Sequence, residues 1–101
     1  MSSVVFVAPF FLDTTLRFVE AVADLPGVRA GLVSQDPAER LPPALKAKLA
    51  AHYRIADGLD PQQIADAVRG LARLIGPPQR LVGALEQLQV PLGEVRDALG
   101  I

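Results

Sequence analysis

The chain has 101 residues, half of them hydrophobic, with ten Lys and Arg against eleven Asp and Glu and a formal net charge of -1. One domain must therefore account for everything, and the clustered basic excess of a nucleic-acid binder is missing. The two lysines, Lys46 and Lys48, are too few for a polybasic membrane patch, and the absence of cysteine rules out disulfides and thiolate chemistry while fitting a cytoplasmic location.

Val-Val-Phe-Val-Ala at 4–8 is an unbroken apolar run, the pattern of a strand covered on both faces. The longer run to Leu12 superficially resembles a signal-peptide core. It has no basic residues ahead of it, is broken by Pro9 and Asp13, and is too short to span a bilayer. Asp13 is the expected cap of a first helix over 14–24, with Phe18, Val19, Val22 and Leu25 along its buried stripe. Pro26-Gly27 makes a turn into a second strand at 28–33.

Asp36-Pro37-Ala38-Glu39 reads as a capping-box start that Pro42-Pro43 cuts short. A second helical piece is expected over 44–51, burying Leu45 and Leu49, and then a third, less apolar strand at 52–56, near a sheet edge. Asp60-Pro61-Gln62-Gln63 is the clearest helix start, with an acid cap, a first-turn proline and a glutamine able to bond back. Ile64, Val68, Leu71 and Ile75 mark its core face, and Gly76-Pro77-Pro78 ends it. A fourth strand at 80–84 and a last helix at 91–99 follow, the helix burying Leu92, Val95 and Leu99 and closing on Gly100 as its C-cap.

Strands alternating with helices at this spacing predict an α/β fold, a four-stranded parallel sheet with helices on both faces; if the order follows the doubly wound pattern, it is 3-2-1-4. Its switch point lies between the first and fourth strands, so contacts with a ligand or partner are expected at 8–13 and 84–89. Pro9, Phe10 and Asp13 on one side and Glu86 and Gln89 on the other are the candidate substrate-binding or interface residues.

Several chemistries lack their parts. The first loop, Ala8-Pro-Phe-Phe-Leu-Asp, has neither the glycines of a dinucleotide fold nor a Walker A sequence. Phe10 and Phe11 would obstruct a pyrophosphate there, and Asp13 would repel one. Asp57 stands where a receiver domain carries its phospho-acceptor, but the accompanying acidic pair and late lysine are missing, so Asp57-Gly58 reads as a turn. His52 is the single histidine, which leaves no zinc cluster and no triad. Arg69, Arg73, Arg96 and Asp97 read as solvated helix charges. A carboxylate at Glu86 is equally a turn cap or a ligand group.

The order of elements, with Leu81-Val-Gly-Ala-Leu-Glu86 followed by a short helix and Leu99-Gly100-Ile101, resembles the end of the N-terminal, Rossmann-like pre-ATP-grasp domain of ATP-grasp ligases, the biotin-carboxylase and carbamoyl-phosphate-synthase-like branch. In that family a strand leads to a glutamate, matched here by Glu86, then to a short helix and a Leu-Gly-Ile step into the ATP-grasp domain proper. The resemblance implies that the chain is the front of a longer protein, a scaffold and partial substrate wall with no catalytic residue and no metal site of its own. It further implies that ATP and Mg²⁺ are used by a following ATP-grasp domain to convert a small carboxylate into an acyl phosphate. The expected partners are that C-terminal domain and the carboxylate, and a homodimer is allowed. A stand-alone α/β module for a small ligand or a protein partner is the alternative. A compact enzyme has no recognisable nucleophile and base pair to rest on.

Overall fold

The computed structural model describes residues 2–101. Strands β1 (Ser2–Val7), β2 (Val28–Ser34), β3 (Ala51–Arg54) and β4 (Arg80–Gly83) alternate with helices α1 (Asp13–Ala23), α2 (Pro43–Lys48), α3 (Pro61–Ile75) and α4 (Gln89–Leu99). The strands form one sheet in the order β3-β2-β1-β4, every neighbouring pair parallel. The expected architecture is the observed one.

The central position of β1 explains its unbroken apolar run. Val5 and Val7 enter the core layer built with Ile64, Val68 and Leu71 of α3 and Leu92 and Val95 of α4. Phe6 and Ala8 enter the opposite layer with Val19 of α1 and Leu45 of α2. A strand covered on both faces has no polar side to alternate with.

Local details depart from expectation where a backbone bond prevails over a side-chain cap. Asp13 is the first residue of α1 and not its cap; Leu12 holds the cap position without a side-chain bond, because the Leu16 N–H closes on the Leu12 carbonyl at 2.9 Å. The buried face of α1 is Thr15 and Val19, with Leu16 and Val22 partly covered. Phe18 and Leu25 stand about half exposed, at 53% and 52%: residue 18 lies about 100° around the helix from residue 19, and Leu25 lies beyond the end of α1 at Ala23. Asp36 caps nothing. Pro37 precedes a short 3-10 turn, Ala38–Arg40, without a side-chain cap, and the Asp36 carboxylate instead accepts the Phe11 N–H at 2.9 Å.

Helix α2 stops at Lys48, three residues early, because the Ala50 N–H pairs with the Ala30 carbonyl at 2.9 Å and starts the chain into β3. The start of α3 is as expected. Asp60 accepts the Gln62 N–H at 3.0 Å, while Gln63 donates to the Asp60 carboxylate at 3.1 Å and accepts the Asp57 N–H at 2.8 Å. Helix α4 begins at Gln89, after a 3-10 turn Glu86–Leu88, and ends on Gly100 in the left-handed region at φ 69°. Arg96 is not a solvated charge: its Nε and Nη2 donate to the Leu81 carbonyl of β4 at 3.0 and 2.6 Å.

Candidate functional site

In an open parallel sheet, ligands gather at the C-terminal ends of the strands, so the four strand exits decide what this molecule can hold. The β1–β4 register sets Val7 opposite Gly83, and the segments leaving both strands start side by side. Their seam is filled from within. A β-carbon on Gly83 would lie 2.9 Å from Leu88 Cδ1 and 3.0 Å from Leu92 Cδ1, and Leu88 is wholly buried. The close approach that a glycine permits is taken by the chain's own leucines.

The candidate residues part company around this seam. Pro9 is buried; its carbonyl accepts the N–H groups of Gln35 and Asp36 at 2.9 and 3.0 Å, and a β-carbon on Gly58 would clash with its ring at 2.4 Å. Phe10 is 38% exposed. Asp13 turns toward α2, lining a cavity of about 220 Å³ with Leu16, Arg17, Glu20, Pro42 and Leu45. Glu86 and Gln89 are exposed beyond β4, where the Gln89 amide donates to the Leu85 carbonyl at 3.1 Å. Pro9 thus belongs to the β2 and β3 side.

That side holds a cavity of about 500 Å³ lined by Gln35, Asp36, Arg54, Ile55 and Ala56. Gln35 and Asp36 leave β2; Ile55 and Ala56 leave β3. Its walls are cross-tied: Arg54 Nε donates to the Gln35 carbonyl at 2.9 Å, the Gln35 side-chain oxygen accepts the Gly58 N–H at 3.0 Å, and the Ile55 N–H bonds the Ser34 carbonyl at 2.8 Å. The Phe11 N–H on the Asp36 carboxylate anchors the first loop to the same wall.

Behind the wall, the buried Ser34 hydroxyl lies 2.7 Å from the Asp36 carbonyl and 2.6 Å from His52 Nε2. A hydroxyl has one proton and a carbonyl only accepts, so Ser34 donates to Asp36 and His52 Nε2 donates to Ser34. This orientation is the reverse of a nucleophile and its base, which requires the hydroxyl proton to point at an unprotonated ring nitrogen. Burial pushes the His52 pKa down, with Lys46 and Arg54 adding to the effect and Glu39 opposing it. Asp57 is a turn residue, its carboxylate accepting the Leu59 N–H at 3.0 Å. Among the described residues, no group of three or more His, Asp or Glu is arranged to hold a metal ion, and no helix is long and apolar enough to cross a membrane.

Sequence reasoning passed over Gln35 and Arg54 and read Asp36 as a helix cap. The available signal was position: all three sit at the ends of strands two and three, where the fold class already directs attention. No protein-family model, no curated protein and no solved structure matches this chain.

Proposed function

We propose that this chain is the leading, substrate-facing domain of an ATP-dependent carboxylate ligase of the ATP-grasp type. One observation supports it above others. In the parallel β3-β2-β1-β4 sheet, β4 leads to an exposed glutamate, Glu86, then to a short helix and the Leu-Gly-Ile step, the order of features on which the resemblance rests. In this reading the domain is inactive alone and cytoplasmic, and it packs against a following ATP-grasp domain that uses ATP and Mg²⁺ to form an acyl phosphate from a small carboxylate. The strand exits then form part of the substrate wall. The first loop suits that division of labour, because the buried Pro9 and the negative Asp13 leave no cradle for a phosphate.

Calorimetry with MgATP on the 101 residues is expected to show no saturable binding. In a longer chain containing the ATP-grasp domain, Glu86→Ala should lower ligase turnover about tenfold or more while moving the melting temperature by less than about 2 °C. Micromolar MgATP binding by the 101 residues, or a melting loss without a turnover loss, overturns the reading. A second reading, a stand-alone module for a small ligand, is favoured by the cavity between the β2 and β3 exits. Both readings put a small molecule at the C-terminal end of the sheet, the first including Glu86 beyond β4 and the second confined to the β2 and β3 exits, and they differ in whether further chain and ATP are needed.

A further inference from the structure

The cavity between the β2 and β3 exits has two opposite charges in its lining, Arg54 and Asp36, and they do not pair with each other. The ion pairs among the described residues join Lys48 to Glu20 and Asp24, and Arg69 to Asp66. Each of the two lining charges is instead held by the backbone. Arg54, an exposed residue, spends its Nε on the Gln35 carbonyl, and among the described residues its two Nη groups have no acceptor. Asp36 spends Oδ2 on the Phe11 N–H, and its Oδ1 has no donor among the described residues. A guanidinium offering paired N–H groups suits a carboxylate, and a free carboxylate oxygen suits an ammonium.

From this we propose that the cavity binds a small zwitterion, an α-amino acid or a molecule with the same ammonium and carboxylate pair. The inference rests on the reading that this edge of the sheet faces a small ligand. The remaining wall describes the rest of the molecule. Ile55 and Ala56 line the cavity with apolar surface. An apolar or aromatic side chain on the ligand would find a face there. A volume of about 500 Å³ accommodates an amino acid. The balanced pair also discriminates: a polyanion gains from Arg54 and is repelled by Asp36, whereas a zwitterion satisfies both.

Calorimetry and amide chemical-shift mapping with L-phenylalanine, N-acetyl-L-phenylalanine and phenethylamine test this directly. L-Phenylalanine should saturate, moving the amides of Gln35, Asp36, Arg54, Ile55 and Ala56. Removing either ligand charge should weaken binding about tenfold or more. Asp36→Asn, which keeps an acceptor for the Phe11 N–H, should erase the preference for the free ammonium. Arg54→Gln should erase the preference for the carboxylate, and the backbone shift pattern verifies that both variants remain folded. If all three probes move the cavity amides with equal affinity, the edge still faces a small ligand but selection of a zwitterion is wrong. If none moves them, both the inference and the ligand-facing reading of this edge fall.

Discussion

Gly58 has no room for a side chain: a β-carbon there would sit 2.4 Å from Pro9 Cβ and 3.0 Å from Pro9 Cα, and the proline cannot yield because its carbonyl is held by two N–H groups. Gly58→Ala should therefore cost about 1–3 kcal/mol in chemical denaturation; an unchanged midpoint would show that the two loops are not locked together. His52 makes a prediction about pH. Its pKa is lowered from 6.5 in the fold, chiefly by burial and next by Lys46. The unfolded chain therefore takes up the proton first, and the stabilisation is complete above about pH 6.5 and lost as pH falls through the lower folded value. The melting temperature should drop as pH falls below about 6.5, and His52→Gln should flatten that part of the curve. An equal slope in the variant would assign the loss to other groups. None of this residue-scale chemistry was readable beforehand. Asp57-Gly58 read as a turn, which it is, but nothing in one dimension shows that the glycine lies under Pro9, 49 positions earlier.

At the scale of elements, β4 is an outer strand of the sheet, and an outer strand exposes backbone groups able to recruit another chain. Arg96 covers one of them, donating twice to the Leu81 carbonyl. It thereby ties α4 to the strand it follows. Arg96→Met, which keeps the apolar stem, should cost about 1–2 kcal/mol and increase concentration-dependent association in sedimentation; neither change would mean that water serves the carbonyl equally well. The contrast with α3 shows what pattern can reveal. The α3 cap and core stripe at Asp60, Ile64, Val68, Leu71 and Ile75 were legible because both are periodic, local features. Arg96 looked like a solvated charge because its partner lies 15 residues away on another element. Asp36 was misread for the same reason, its carboxylate serving Phe11, 25 residues earlier.

Over the whole molecule, two core layers lie on opposite faces of one sheet, and β1 contributes to both, so the layers should unfold together in one cooperative transition. Leu88→Ala tests the seam between β1 and β4. Leu88 is fully buried against Gly83, and truncation should cost about 2–4 kcal/mol and leave a cavity where the fold class would otherwise place a ligand. Little loss of stability would mean that the seam is loosely filled and still available to a ligand.

The sequence by itself determined the fold class, the number and kind of elements and the strand order. The elements follow from alternating strand and helix periodicities and from helix stops at Gly76 and Gly100, and the strand order from reading them as the doubly wound pattern. Only the tertiary structure decided where the open end of the sheet lies. It filled the β1–β4 seam with Leu88 and opened the cavity two strand pairs along, at β2–β3, around Arg54 and Asp36. The physical reason is reach: periodicity reports which face of an element is buried, whereas a cavity depends on which side chains from distant elements fail to fill the same space.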